Sequence, residues 1–170
     1  MKKGSAIYAF SADPITYGHI DIIERAAKIF NHVVVAIGQN PAKKHLFSLE
    51  EREKLTIEAL AHLNNVQIKT FEGMFSHFAK QENITVNLKG LRNIEDYEYE
   101  RTLHEINKNQ NPELDSLFIP ASASLRFISS GAVKAIVLAG GNIESYAPLG
   151  VRIALERKLE NLKPMQHPKV

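Results

Sequence analysis

Ala6-Ile7-Tyr8-Ala9-Phe10, then Ser11-Ala12-Asp13-Pro14-Ile15-Thr16-Tyr17-Gly18-His19, lead into Ile20, Ile23, Ala27 and Phe30, and these into His32-Val33-Val34-Val35-Ala36-Ile37 and Gly38. The two apolar runs are continuous rather than alternating, which suits strands covered on both faces. The apolar residues between them fall at helical spacing. The stretch therefore reads strand, helix, strand, the unit of a parallel sheet with right-handed crossovers.

The rest of the chain repeats that unit. Ser48-Leu49-Glu50-Glu51 has the form of a capping box with Ser48 as N-cap, and Ile57, Leu60 and Ala61 follow on one helical face. Residues 66–71 read as a third strand. A short helix over residues 75–81 leads to a fourth strand at 84–88. A polar helix covers about residues 94–107 and stops before Asn111-Pro112. Leu117-Phe118-Ile119 is a fifth strand, ended by Pro120. Ser129 or Ser130 caps a helix through Ala132 to Leu138, which Gly140-Gly141 stops. Pro148 sits at a helix start, with Val151, Leu155, Leu159 and Leu162 as the apolar stripe of the last helix. The expected class is α/β, a Rossmann-like parallel five-stranded sheet flanked by helices.

The 170 residues suit one domain over 1–162 and a short tail over 163–170 that carries two prolines. A composition 44% hydrophobic and 24% charged is that of a globular chain. The absence of cysteine excludes a disulfide framework, a thiolate metal site and a cysteine nucleophile. No apolar run approaches the ~20 residues that span a bilayer, and Met1-Lys2-Lys3-Gly4 opens no signal peptide. A cytoplasmic protein with no membrane partner is expected. Lys plus Arg number 21 against 19 acidic residues, too balanced for a nucleic-acid partner held by bulk charge. An anionic ligand needs a local cluster.

In parallel sheets ligands bind beyond the carboxyl ends of the strands, so candidate residues follow Phe10, Ile37, Phe71, Leu88 and Ile119. Neither a P-loop, a G-x-G-x-x-G after the first strand nor H-E-x-x-H is present. Thr16-Tyr17-Gly18-His19 opens the first helix, where backbone N–H groups and the helix dipole favour an anion. His19 and Thr16 can donate to phosphate; the alternative is a helix cap followed by an exposed histidine. Lys43 and Lys44 are either a solvated turn or point charges for a phosphate. In Lys89-Gly90-Leu91-Arg92, Gly90 leaves room for a ligand between two cations, and Arg92 can hold phosphate with two parallel hydrogen bonds. Ser129-Ser130 is a cap that can double as a phosphate or ribose site. Phe75 by itself reads as a core aromatic.

These motifs, together with Asn40-Pro41-Ala42-Lys43-Lys44, Phe47-Ser48-Leu49-Glu50-Glu51-Arg52, Tyr97-Glu98-Tyr99-Glu100 and Phe127-Ile128-Ser129-Ser130 in order, resemble the phosphopantetheine adenylyltransferase family of T/H-x-G-H nucleotidyltransferases. The likeness runs from about residue 6 to 162. It implies transfer of the adenylyl group of ATP to 4′-phosphopantetheine, giving dephospho-coenzyme A and pyrophosphate. It implies catalytic roles for His19 and Thr16. It implies ATP contacts at Ser11, Ala12, His19, Gly90, Leu91, Arg92, Glu100, Leu125, Arg126, Phe127, Ile128, Ser129, Ser130 and Gly131. Ser11, Lys43, Phe75 and Lys89 are implied to hold phosphopantetheine. Mg²⁺ is implied as a cofactor bridging phosphate oxygens, which needs no all-protein cage and for which no ligand residue is named, and a homohexamer as the assembly.

The chain departs from the family at several positions. Phe10 stands where glycine is usual and Ala12 where phenylalanine is usual. Lys89 replaces arginine, Leu125-Arg126 replaces an aromatic-containing pair, and Gly131 replaces a hydroxyl residue. Phe10 is expected to point inward and fill the space left at Ala12. Two alternatives stay open: a nucleotidyltransferase for another phosphate, such as nicotinamide mononucleotide or glycerol phosphate, and a nucleotide-binding relative without catalysis.

Overall fold

The computed structural model describes residues 4–40 and 44–160. Lys43, Leu162 and the 163–170 tail lie outside them. Five strands, β1 (Ser5–Phe10), β2 (His32–Gln39), β3 (Val66–Glu72), β4 (Val86–Leu91) and β5 (Asp115–Pro120), form one sheet in the order β3-β2-β1-β4-β5. Every pairing is parallel. The helices among the described residues are α1 (Tyr17–Ile29), α2 (Leu49–Leu60), α3 (Phe75–Gln81), α4 (Ile94–Gln110), α5 (Ser130–Leu138) and α6 (Leu149–Glu160). The class is α/β and Rossmann-like, as expected.

The continuous apolar runs have a direct cause. Successive side chains of a strand point to opposite faces, and here both faces are covered. Ala6 and Tyr8 of β1 join Val33, Val35 and Leu88 in one core with α1, α5 and α6. Ile7 and Ala9 join Val34 and Ala36 in a second core under Phe78 and Leu114. The chain winds outward from β1 in both directions, so the order reverses between β1 and β4. Crossovers leave this switch point on opposite faces and a crevice opens at the strand ends.

Several boundaries differ from the sequence reading. Gly38 does not end β2; it pairs with Phe71, and the Phe71 ring occupies the place of a side chain, 3.2 Å from where a Cβ would stand. The fourth strand starts at Val86 and continues to Leu91. Its ladder with β5 extends to Leu91 opposite Pro120, so Lys89, Gly90 and Leu91 are strand residues rather than a following loop. Hydropathy stops at Lys89, whereas the hydrogen-bonded ladder does not. The capping box of α2 is present, with Ser48 accepting from the Glu51 N–H. Its inward face, however, is Arg52, Leu55, Thr56 and Leu60, while Ile57 is exposed. Ser129 is the cap of α5. Pro148 precedes α6, accepting at its carbonyl from the Arg152 N–H.

Candidate active site

The crevice is built where α1 and α5 both start beside the ends of β1 and β4. Thr16, fully buried, is the N-cap of α1 in an extended conformation. Its backbone N–H donates to Nδ1 of His19 at 3.1 Å, and its hydroxyl lies 2.9 Å from the same nitrogen. An Nδ1 that accepts from a backbone N–H carries no proton, so the neutral ring is protonated on Nε2. The ring stacks on Phe10, centroids 4.6 Å apart. Burial, and then the Arg92 charge, push the His19 pKa down to about 4. His19 is therefore a neutral donor at pH 7.

A cleft of about 370 Å³ opens over this ring. Of the residues named from sequence, its wall brings together Ser11, Ala12, Thr16, His19, Lys89, Gly90, Arg92, Glu100, Leu125, Ile128, Ser129, Ser130 and Gly131. Three of the residues implied to contact ATP are not in that wall. Leu91 is half-buried at the end of β4, and Arg126 and Phe127 are exposed. Phe127 packs edge-on against Tyr146, centroids 5.7 Å apart. Phe75 lines a second, more apolar hollow of about 610 Å³, which shares Ala9, Phe10, Ser11, Lys89 and Glu100 with the first. Lys43 is among the residues not described.

Both cations at the end of β4 are paired with carboxylates four residues apart on α4. Lys89 Nζ stands 3.1 Å from Glu100 Oε2 and donates to the Ala9 carbonyl at 3.3 Å. Arg92 Nε and Nη2 donate to the two oxygens of Asp96 at 2.8 and 2.9 Å. That pairing holds the Asp96 carboxyl below its usual range and raises Arg92 above its own. Tyr8 lies beneath; burial, with the Glu100 carboxylate second, holds its phenol well above the usual range. Tyr97 packs edge-on against Phe118, whereas Tyr99 is exposed at the second hollow.

The loops around the cleft are fastened from below by Arg52 and Asp13, which stand within the quoted motifs but received no role from sequence, and by the Ser129-Ser130 pair. Arg52, 1% exposed, reaches up from α2. It donates to the carbonyls of Ser11 and Gly38 at 2.6 and 3.0 Å and to Gln39 Oε1 at 2.6 Å, tying the ends of β1 and β2 together. Asp13 accepts from the N–H groups of Leu46 and Phe47 and from Lys134 Nζ at 2.7 Å. Burial alone would raise its pKa, but the Lys134 ammonium and the two amides outweigh it and hold the carboxylate below its ordinary range. The Ser130 hydroxyl donates to the Pro14 carbonyl at 2.7 Å, docking the first turn of α5 on the same loop. Ser129 Oγ accepts from the Ala132 N–H. The earlier first-turn N–H groups of α5, at Ser130 and Gly131, have no intrahelical partner and lie in the cleft wall.

Two sequence-level ideas change. Gly90 makes room first for the protein itself: a Cβ there would stand 2.9 Å from Cγ1 of Ile22 on α1. Its lack of a side chain lets α1 lie close on β4. Phe10 turns only partly inward, packing against the main core at the end of β1. Its half-buried ring stands in the cleft wall between Tyr8, centroids 5.1 Å apart, and His19. Ala12 is itself buried, in the left-handed region at φ 52.

Among the described residues no group of three or more His, Cys, Asp or Glu could hold a metal ion. The two carboxylates in the cleft, Asp96 and Glu100, already face Arg92 and Lys89. No described helix is long and apolar enough to cross a membrane. In chemical terms the site offers donors, cations and a neutral imidazole, the equipment for binding phosphates and stabilising charge on them.

The cytidylyltransferase-like family matches residues 8–136. A crystal structure from Vibrio parahaemolyticus, of a protein proposed to be a nicotinate-nucleotide adenylyltransferase, has a similar fold. It has a TM-score of 0.66 over 95% of this chain and 93% of that one, at 17% identity. A phosphopantetheine adenylyltransferase from Syntrophomonas wolfei is 42% identical over 156 residues, covering 92% of this chain and 97% of that protein. The chain belongs to the cytidylyltransferase-like family and, within it, to the phosphopantetheine adenylyltransferases.

Proposed function

We propose that this chain transfers the adenylyl group of ATP to 4′-phosphopantetheine, releasing pyrophosphate and dephospho-coenzyme A. The observation that carries this reading is the pair of connected hollows meeting at Phe10, Ser11 and Lys89. One is the more polar of the two and faces the starts of α1 and α5, as a nucleotide's phosphates require. The other is lined by Phe71, Met74, Phe75, Leu103 and Ile106 and suits an extended, largely uncharged arm. The junction holds the Lys89 ammonium, where the two substrates' phosphates would meet.

The nucleophile is the phosphate of phosphopantetheine, attacking the α-phosphorus of ATP as the bond to pyrophosphate breaks. A phosphate monoester with a second pKa of ~6 is mostly dianionic at pH 7 and needs no general base. Positioning and charge stabilisation then suffice. The Nε2–H of His19 donates to the α-phosphate as its charge grows, and Thr16 fixes the tautomer that makes this possible. Arg92 and the first-turn N–H groups of α5 hold the remaining phosphates, and Lys89 and Phe75 hold the acceptor. Mg²⁺, if it accompanies the triphosphate, would supply charge neutralisation there; no described residue of this chain is assigned to hold it. A cytoplasmic setting and a homohexamer belong to the same proposal; closed symmetry of that kind is common for homo-oligomers.

Pyrophosphate release from ATP, measured with phosphopantetheine, nicotinamide mononucleotide or glycerol phosphate supplied separately, tests the assignment. Release is expected with phosphopantetheine alone. Release with either other acceptor and none with phosphopantetheine would overturn it.

A further inference from the structure

Arg92 is held more firmly than its position at the rim of the cleft demands. Its Nε and Nη2 donate to the two oxygens of Asp96 at 2.8 and 2.9 Å, and its backbone N–H donates to Oδ2 at 3.0 Å. Asp96 is fixed in turn, because its own N–H donates to the side chain of the N-cap Asn93 at 2.8 Å. One carboxylate thus fastens both the main chain and the side chain of Arg92.

A guanidinium has five N–H donors. Asp96 takes two of them on the Nε edge, which leaves the Nη1–Nη2 edge for a second acceptor with two oxygens, the geometry of a phosphate. An ion pair this exposed adds little to stability, and Arg92 is 38% exposed against 20% for Asp96. The main effect of the pair is therefore on orientation. An unpaired arginine loses rotamer freedom when it is fixed; here that freedom is lost before the ligand arrives.

We infer that Asp96 is a positioning residue: it holds Arg92 in the cleft wall with its outer edge presented to the phosphates of ATP. The inference rests on the reading of Arg92 as an ATP contact. A rival consequence of the same contact is masking, in which the carboxylate neutralises Arg92 and weakens its pull on the triphosphate. The two differ in sign.

The test is steady-state pyrophosphate release with Asp96→Asn, Asp96→Glu, Arg92→Met and the double variant Arg92→Met with Asp96→Asn, each first checked for fold by thermal melting. Asp96→Ser replaces Asp96→Asn if the latter does not fold. Asp96→Asn is expected to raise KM for ATP about tenfold, because ATP must then remove part of the rotamer freedom that Arg92 regains, with kcat within about twofold. Asp96→Glu should recover part of that loss. The double variant should be no worse than Arg92→Met alone, because Asp96 acts through Arg92. If Arg92→Met raises KM while Asp96→Asn leaves it unchanged or lowers it, the inference is overturned and the ATP contact stands. If Arg92→Met leaves KM unchanged, the ATP reading of Arg92 falls and takes the inference with it.

Discussion

The backbone N–H of Thr16 points into Nδ1 of His19 at 3.1 Å, and so decides which nitrogen of the ring can serve a ligand. The side chain proposed for charge stabilisation is oriented by the residue three positions before it, within one helix turn. The same turn that caps α1 therefore presets a neutral Nε2–H donor.

The protonation state of His19 is expected to follow from this arrangement. Titration by NMR should give Nε2–H as the neutral tautomer and a pKa near the value of about 4 set by burial and Arg92. Phe10→Ala uncovers one ring face and should move the pKa up toward the ordinary ~6.5. ATP, bringing negative charge, should move it in the same direction. A pKa near 6.5 in the free wild-type protein, unmoved by Phe10→Ala, would show that the ring is solvated.

A depressed histidine pKa also makes stability depend on pH. The unfolded chain binds the proton between about pH 4 and 6.5, and the folded one does not. The contribution of His19 is thus complete above pH 6.5 and is lost as pH falls through about 4. Urea unfolding of wild type and His19→Gln should converge by about 2 kcal/mol between pH 7 and pH 4, a figure already reduced for the partial exposure of the ring. Parallel curves would count against the shift.

For catalysis, His19→Ala should lower kcat by ~10²–10³, the usual loss of one transition-state donor, with little change in KM for ATP. Equal losses in both would point to a ground-state contact instead.

Arg52→Met should be strongly destabilising although it lies outside the cleft. It leaves the carbonyls of Ser11 and Gly38 and the Gln39 amide without their buried donor. Unsatisfied groups of this kind cost ~1–3 kcal/mol each, so a total of about 3–5 kcal/mol is expected from urea midpoints at unchanged m-value. A loss under about 1 kcal/mol would mean that water replaces the guanidinium freely.

Gly90→Ala should cost about 1–3 kcal/mol, as overpacking does, because the new Cβ meets Cγ1 of Ile22 at 2.9 Å. Combined with Ile22→Ala, it should cost less than the two single changes added, since they share one space. Strict additivity would place the strain elsewhere.

Lys89→Arg should tighten phosphopantetheine by about 1 kcal/mol, one net hydrogen bond, with little effect on ATP. A guanidinium can keep the Glu100 pairing and still offer a second edge to phosphate, which an ammonium cannot do in the same plane. A change in ATP affinity instead would assign position 89 to the other end of the site.

Beyond what the family resemblance implied for the cleft wall, sequence alone determined the β1–α1–β2 unit, the five strands and the starts of α1, α2 and α5. These features are local. Apolar runs, helical spacing and caps within four residues are written in consecutive letters, and strand ends in a parallel sheet mark the crevice by topology. Only the tertiary structure decided that Lys89 to Leu91 belong to β4, because the partner that extends that ladder is β5, some thirty residues away. It decided that Arg52, a charged residue in a polar helix, lies inside, because its three acceptors come from the ends of two other strands and cannot be seen from α2. It placed Asp96 and Glu100 against the cations of β4 and Ile22 in the space left by Gly90. A polar residue's role depends on which non-local groups satisfy it, and burial follows from that satisfaction rather than from the residue's own hydropathy.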